Sequence, residues 1–213
     1  MILLSDPRVR AVPVADGGEP LVDLREAPGL RLEPRQAGAA GAWVREAVRR
    51  RLLAAQAALP DGVRLLVIEG YRPLDRQRAI FDSYRDELRR RHPRWSEQRL
   101  FVETTKFVSP VEVAPHGTGG ALDLTLCTVD GVELDMGTCV DATPEASRNA
   151  CFTAAGNIPA RARRNRQLLA DALAGAGLVN YPTEWWHWSY GDRYWALLTG
   201  ADSAHYGAIS NRR

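Results

Sequence analysis

The chain has 213 residues, of which 45% are hydrophobic and 25% charged, a composition typical of one globular domain that buries its core without disulfides. Its net charge of only +2 argues against a nucleic-acid partner. Residues 1–30 carry no signal-peptide pattern and no apolar run reaches about 18 residues, so we expect no membrane partner and a cytoplasmic location. The composition gives no information on the oligomeric state.

Three cysteines agree with a reducing compartment, because they form an odd set in a chain large enough to fold without disulfides. They are Cys127, Cys139 and Cys151. A single bridge from Cys139 to either of the other two stays open as an alternative.

The first third of the chain alternates between irregular and periodic segments. Residues 1–41 are rich in Pro and Gly and predict an irregular arm with a short strand at Leu21–Leu24. An amphipathic pattern predicts a helix over Trp43–Leu59. The short apolar run Val63–Ile68, which ends near glycine, predicts a buried strand.

The middle of the chain predicts two helices and a strand with two different faces. Asp75 is a candidate N-cap for a helix from Arg76 to about Arg91, and a shorter helix follows from Ser96. Residues 121–128 alternate strictly, with Leu122, Leu124 and Leu126 on one face and Ala121, Asp123 and Thr125 on the other. We therefore expect helices to pack on the leucine-bearing face.

The last third predicts two hairpins around a helix. Val132–Met136 follows an Asp-Gly turn and is expected to pair with the preceding strand. Arg161–Ala174 is amphipathic, and the aromatic segments Trp185–Tyr190 and Tyr194–Leu198 read as a terminal hairpin. The order of elements predicts an α+β fold, a single domain over 1–213 with helices packed on an antiparallel sheet.

Two of the four histidines lie in segments suited to metal binding. His116 precedes Asp123 across a Gly-rich loop, and His187 lies in a Trp-rich segment. Two His and one Asp give zinc three ligands and leave a fourth position for water, the composition of a catalytic site. Taken singly, His116 is also compatible with a turn residue and His187 with a hydrogen-bonded core histidine.

Two further charged residues are suited to the chemistry around such a metal. Glu184 lies three residues before His187, so both reach one site only if Glu184 sits in a loop or the strand is bulged. A carboxylate beside the metal can take a proton from water. Arg72, held between a strand and a helix, is suited to stabilising an oxyanion, and an ion pair or helix cap is the alternative.

Four motifs occur together in a fixed order. They are Glu69-Gly70-Tyr71-Arg72-Pro73, the His116 to Asp123 spacing, Asp135-Met136-Gly137-Thr138 followed by Asp141, and Glu184-Trp185-Trp186-His187. Over residues 62–198 the chain resembles the zinc D-alanyl-D-alanine dipeptidases, the VanX-type enzymes of the D,D-peptidase family. One departure is Ala114, where that family usually carries a Ser that helps bind the dipeptide.

The resemblance implies a confined cleft with a role for each motif residue. His116, Asp123 and His187 would hold Zn²⁺, Glu184 would act as general base, and Arg72 would stabilise the transition state. Substrate contacts are predicted for three residues: Asp141 as partner of the ammonium group, Tyr71 and Trp186. For Asp141 alone, a structural residue at a hairpin end is the alternative reading.

The substrate is expected to be D-Ala-D-Ala or a related D,D-dipeptide. A D,D-carboxypeptidase acting on longer cell-wall peptides is the nearest alternative, and a non-catalytic zinc-dependent binding module is another. A non-haem iron oxygenase also uses two His and one carboxylate. Its first His and acid are usually one residue apart, whereas six residues separate His116 from Asp123.

Overall fold

The helices and strands alternate along the chain. The structure, a computed structural model, describes residues 1–33 and 40–209. In chain order these residues form α1 (Pro7–Ala11), β1 (Leu21–Asp23), β2 (Arg31–Leu32), β3 (Trp43–Arg45), α2 (Glu46–Ala58), β4 (Val63–Glu69), α3 (Leu74–Arg91), α4 (Glu97–Thr104), β5 (Ala121–Thr128), α5 (Pro144–Ser147), α6 (Ala160–Gly175), β6 (Val179–Asn180), β7 (His187–Ser189) and α7 (Arg193–Thr199).

A five-stranded sheet in the order β2-β4-β5-β7-β6 organises the fold. Its pairs are antiparallel except at one edge, where β2 runs parallel to β4. The prediction of a purely antiparallel sheet is therefore wrong at that edge, because a connection containing α2 returns the chain in the same direction. The α+β class itself is confirmed.

Two helices cover the leucine-bearing face of β5. Leu122, Leu124 and Leu126 are fully buried in one cluster with Leu52 of α2 and Leu169 of α6. Burial of large aliphatic side chains of this kind stabilises a fold by about 1.5–3 kcal/mol each. The predicted packing of helices on this face is confirmed, and the opposite face is left to carry Asp123.

Most predicted elements lie within one or two residues of their observed bounds. The strand at β4 and the helices α3 and α6 are confirmed. The helix expected from Ser96 is α4, and Ser96 caps it, since its hydroxyl accepts a hydrogen bond from the Arg99 N–H at 3.2 Å. Asp75 does not cap α3; the helix begins at Leu74, with Pro73 at the N-cap position and Asp75 in the first turn.

The N-terminal part of the chain is more ordered than predicted. The arm 1–41 contains α1 and the short strands β1 and β2, and residues 34–39 lie outside the described part. The predicted helix over Trp43–Leu59 begins three residues late, because β3 pairs with β1 in the register Leu21↔Arg45. Pairing with a distant segment outweighs the local helical pattern there.

One predicted hairpin forms in part and the other is wrong. Val132–Met136 pairs with β5 as expected, but only at one antiparallel bridge between Cys127 and Glu133, where the Thr128 N–H donates to the Val132 carbonyl at 2.9 Å and the Leu134 N–H donates to the Leu126 carbonyl at 2.8 Å. Residues 193–199 form helix α7 rather than a strand, because the Asp192 carboxylate accepts a hydrogen bond from the Trp195 N–H at 2.6 Å and Gly200 ends the helix at a φ of 71°. Capping residues at both ends outweigh the aromatic strand signal.

Two further findings concern the cysteines and the length of the apolar helices. Cys127, Cys139 and Cys151 are all free thiols, so the alternative bridges do not form here. No helix within residues 1–33 and 40–209 is long and apolar enough to span a bilayer.

Candidate active site

Three predicted metal ligands converge at one end of the sheet. His116, Asp123 and His187 are each buried, and each offers a ligand atom within 4.8 Å of the other two. The His187 Nδ1 lies 3.0 Å from Asp123 Oδ1, and the His116 Nε2 lies 3.3 Å from Asp123 Oδ2. Two imidazole nitrogens and one carboxylate thus face a common point.

Strand register places two of these ligands. Asp123 of β5 lies directly opposite His187 of β7 in the antiparallel ladder, so their side chains share one face of the sheet. A short 3₁₀ turn over His116–Thr118 carries the third ligand and ends at Gly119, whose φ of 73° favours glycine. The turn delivers His116 to the same face just before β5 begins.

Hydrogen bonds to the backbone fix the orientation of His116. Its Nδ1 donates to the carbonyl oxygen of Gly70 at 2.7 Å, which leaves Nε2 directed at Asp123 and His187. The His116 carbonyl in turn accepts a hydrogen bond from the Arg72 N–H at 3.2 Å. A hydrogen bond from one ring nitrogen to a backbone carbonyl sets the tautomer of a metal-binding histidine, because it leaves the other nitrogen free to bind the metal.

The pKa of Asp123 is held well below its usual range. Burial alone would raise that pKa, but the charge and hydrogen bonds of His116 and His187 lower it. The carboxyl is therefore an anion in the folded protein. A buried anion between two nitrogen ligands fits a divalent cation such as Zn²⁺.

Glu184 lies beside the ligands rather than among them. It sits in the turn before β7, where the Glu184 N–H donates to the Tyr181 carbonyl at 3.0 Å. Its Oε2 is 3.9 Å from the His187 Nδ1. The sequence-based condition that Glu184 and His187 share a site only through a loop is therefore met.

Burial changes the acidity of Glu184. Its pKa is raised well above the ordinary range, first because the carboxyl is buried and then because Asp123 and Asp141 are negatively charged nearby. The side chain of Asn180 holds the turn by donating to the carbonyls of Glu184 and His187, both at 3.0 Å. Glu184 is thus a strong base held in a fixed place.

The Arg72 guanidinium is fixed by its neighbours at the edge of the metal-ligand group. Its Nη2 and Nε donate to the Glu69 carboxylate at 2.6 and 3.1 Å, and its Nη1 donates to Gln77 Oε1 at 2.9 Å. Its Nη2 also lies 3.8 Å from Asp123 Oδ2. Three of its five N–H groups are used in this way, which leaves two for a ligand.

A small cavity opens onto these groups. Its volume is about 230 Å³, below the roughly 300–1,000 Å³ of pockets that take drug-sized ligands. The lining includes the three predicted metal ligands together with Leu4, Glu69, Arg72, Arg76, Ile80, Phe107, Val108, Ser109, Asp141, Glu184 and Trp186. The cavity therefore fits a small polar molecule next to these three residues.

The predicted substrate contacts divide into two groups. Asp141 and Trp186 line the cavity. Asp141 has a φ of 63°, and burial, followed by the charge of Asp123, raises its pKa to about 6. Tyr71 is buried and does not line the cavity; its backbone N–H donates to the Trp43 carbonyl at 2.7 Å.

Three residues at this site have no role in the sequence-based prediction. Glu69 and Gln77 hold the Arg72 guanidinium, and Leu4 closes one side of the cavity. Glu69 stands inside the motif that contains Arg72, so its proximity in sequence is a usable signal. Gln77 and Leu4 carry no such signal, because only the packing of α3 and the N-terminal segment brings them to the site.

The chain has curated relatives along most of its length. It is 30% identical to the D-alanyl-D-alanine dipeptidase of Synechocystis sp. (strain ATCC 27184 / PCC 6803 / Kazusa) over 216 aligned residues, which cover 87% of each chain. It is also 30% identical to the Escherichia coli (strain K12) D-alanyl-D-alanine dipeptidase over 128 residues, 60% of this chain and 55% of the relative.

Solved structures with some similarity are more distant. A structure of the LdcB LD-carboxypeptidase is 20% identical with a TM-score of 0.43, over 90% of this chain and 77% of the other. The vancomycin-resistance D,D-pentapeptidase VanY, solved in complex with Zn(II), is 19% identical with a TM-score of 0.40, over 71% and 75%.

A family model also matches most of the chain. Residues 37–204 match the peptidase family described as D-ala-D-ala dipeptidase, a span that includes every predicted metal-ligand and catalytic position. The resemblance that the four motifs predicted is therefore confirmed. The chain belongs to the D-alanyl-D-alanine dipeptidase family of peptidases.

Proposed function

We propose that the protein is a zinc-dependent dipeptidase that hydrolyses D-Ala-D-Ala or a closely related D,D-dipeptide. Membership of the family supports peptide hydrolysis. The observation that carries the finer proposal is one arrangement: three buried ligand atoms within 4.8 Å and the Glu184 carboxylate 3.9 Å from one of them. This arrangement combines a metal site with an adjacent general base.

His116, Asp123 and His187 would hold the metal ion. Their donor atoms are two nitrogens and one carboxylate oxygen, the set found in catalytic zinc sites. When bound, zinc supplies a Lewis acid that polarises the scissile carbonyl and lowers the pKa of water towards ~7. The remaining steps belong to side chains of the protein.

Glu184 acts first as base and then as acid. Its carboxylate takes the proton from the attacking water and returns it to the nitrogen of the departing amine. The raised pKa of Glu184 makes its carboxylate a stronger base than an ordinary glutamate for the first step. Burial in the cavity keeps competing water away from the carboxyl.

Arg72 stabilises the negative charge that develops on the carbonyl oxygen. Its guanidinium is held on one side by Glu69 and Gln77, so little reorganisation is needed when the charge appears. Two of its N–H groups stay available in the cavity. Asp141 is the partner of the substrate ammonium group, and Trp186 forms part of the wall against which the substrate packs.

The size of the cavity favours a dipeptide over a longer wall peptide. At about 230 Å³ it has room for a small ligand near the metal position. A D,D-carboxypeptidase would require an open groove to admit the rest of its substrate. The retained base and guanidinium favour an enzyme over a binding module, since binding alone requires neither.

The test combines metal content with product release. The purified protein is analysed for zinc, and free alanine of either configuration is measured from D-Ala-D-Ala, from L-Ala-L-Ala and from a pentapeptide that ends in D-Ala-D-Ala. We expect about one zinc per chain and release from D-Ala-D-Ala alone, lost with a chelator and restored by zinc.

Two outcomes would contradict the proposal. Faster release from the pentapeptide than from the dipeptide would replace it with the carboxypeptidase reading. Stoichiometric zinc with no release from any of the three peptides would leave the metal site but reject the substrate class.

A further inference from the structure

A second cavity adjoins the candidate active site and shares one lining residue with it. This neighbouring cavity has a volume of about 380 Å³ and is lined by Leu4, Ser5, Pro7, Arg10, Phe101, Pro110, Glu112 and Val113. Leu4 is the one residue, among those the structure describes, that lines both cavities. Leu4 therefore lies where the two cavities approach each other.

Three hydrogen bonds between tyrosine hydroxyls and backbone groups hold Leu4 and its neighbours in place. The Leu4 N–H donates to the Tyr181 hydroxyl at 3.4 Å, and that hydroxyl donates to the Thr105 carbonyl at 3.3 Å. The Tyr194 hydroxyl donates to the Ile2 carbonyl at 3.1 Å. The segment before α1 is therefore attached to Tyr181, which follows β6, and to Tyr194 of α7.

Packing fixes the Leu4 side chain as well as its backbone. Leu4 is only 4% exposed and forms a small apolar cluster with Val9, Tyr181 and Tyr194. The Tyr181 ring also meets the His187 ring edge-on, with centroids 6.0 Å apart. The wall made by Leu4 is consequently set relative to the metal ligands rather than being a mobile chain end.

We propose that Leu4 is a specificity-determining residue that limits the substrate to two residues by closing the catalytic cavity at this side. The proposal rests on the dipeptidase function proposed above. With the leucine in place, a third residue of a peptide meets an apolar wall. Without it, the catalytic cavity would continue into the neighbouring one.

The neighbouring cavity could receive such an extension at either end of a peptide. Arg10 and Glu112 supply one charge of each sign in its lining. A terminal carboxylate would find the guanidinium, and a terminal ammonium would find the carboxylate. The barrier to longer peptides is therefore the Leu4 side chain itself rather than a lack of polar partners beyond it.

The test compares a dipeptide with a tripeptide in the same protein preparation. Zinc-loaded wild type, Leu4→Ala and Leu3→Ala are assayed with D-Ala-D-Ala and with tri-D-alanine, and the disappearance of each intact peptide is followed by mass spectrometry. The quantity of interest is the ratio of kcat/KM for the tripeptide to that for the dipeptide. A change in folded fraction alters both rates together and leaves this ratio unmoved.

We expect Leu4→Ala to raise the ratio at least tenfold over wild type. Leu3→Ala is the matched control, because Leu3 packs on the same apolar cluster but does not line the catalytic cavity; its ratio is expected to stay within twofold of wild type. Tyr181→Phe removes the hydroxyl that holds the Leu4 N–H and should raise the ratio by a smaller factor.

Different outcomes separate the two proposals. If wild type hydrolyses the dipeptide and Leu4→Ala leaves the ratio within twofold, the role of Leu4 is wrong while the dipeptidase function stands. A wild type that consumes both peptides at equal rates also overturns it. If the zinc-loaded wild type hydrolyses neither peptide, the proposed function itself fails. Should Leu4→Ala not accumulate, Leu4→Val and Tyr181→Phe carry the same comparison.

Discussion

Two walls of the same cavity are built in different ways. One wall, which we call the metal wall, consists of the predicted metal ligands His116, Asp123 and His187 and is carried by paired strands and a 3₁₀ turn. The outer wall, made of Leu4, Phe107 and Asp141, is carried by segments outside the helices and strands. Groups that react need fixed geometry, which a strand ladder supplies. Irregular segments tolerate changes of sequence, so their side chains can be chosen to select a substrate.

The comparison predicts that damage to the metal wall abolishes the reaction, whereas damage to the outer wall changes which substrate is accepted. The largest effect is expected for Asp123→Asn. The amide keeps the shape of the side chain but removes the anion that lies between the two histidines. A bound metal ion stabilises the charge of the transition state by several kcal/mol. Each loss of about 1.4 kcal/mol lowers the rate tenfold.

We therefore expect Asp123→Asn to lose zinc on dialysis and to lower kcat/KM by about 10³-fold or more. Zinc is measured by elemental analysis and activity by D-Ala release. Asp202→Asn, at an exposed aspartate away from the cavity, is the matched control. Full zinc content in Asp123→Asn would show that Asp123 is not a metal ligand.

Glu184→Gln should retain zinc and lose turnover. The neutral amide cannot accept a proton from water, and positioned general acid–base groups contribute typically ~10²–10⁴-fold. Glu133→Gln, an exposed glutamate near the β5 turn, is expected to behave as wild type. Wild-type rates with Glu184→Gln would show that another group activates the water.

Arg72→Lys is expected to have a smaller effect, about 10²-fold on kcat, with zinc content unchanged. Lysine keeps the charge but not the fork that binds Glu69 and Gln77 while two N–H groups remain for the oxyanion. Arg78→Lys, at an exposed position on α3, is the matched control. An increase in KM alone would assign Arg72 to substrate binding instead.

The same two walls divide what could be predicted from the sequence. Asp123 and the leucines beside it could be assigned to opposite faces because strand alternation has a period of two. Together with a local motif, that pattern predicted the three candidate metal ligands and Glu184, which the structure brings close to one another. The cytoplasmic location and the absence of nucleic-acid and membrane partners stay predictions from composition.

The outer wall could not be read in the same way. Leu4 reaches the cavity through two tyrosines, Tyr181 and Tyr194, that lie more than 170 positions away in the chain. Such long-range contacts produce no periodic pattern in the amino-acid sequence around Leu4. Helix α7 differs from its prediction for a local reason, because a cap at Asp192 outweighs an aromatic pattern that is typical of a strand.

The smallest effect is expected at Asp141 and concerns pH. Its pKa is raised to about 6 by burial and by Asp123 and Glu69, while Arg72 and His116 oppose the rise. Below that pH the carboxyl is neutral and cannot pair with the substrate ammonium group, which stays charged below its own pKa of about 7.7–8.0. Binding should therefore weaken as pH falls through about 6.

This pH dependence is best measured where no reaction occurs and Glu184 does not titrate. Zinc-loaded Glu184→Gln is titrated with D-Ala-D-Ala by calorimetry between about pH 5 and 7.5, below the range in which the substrate amine loses its charge. We expect affinity to fall up to tenfold per pH unit below the pKa of Asp141, as a single proton requires. The double variant Glu184→Gln/Asp141→Asn should bind more weakly at pH 7 and show no such slope. An unchanged slope in the double variant would mean that a different group on the outer wall, rather than Asp141, receives the ammonium end of the substrate.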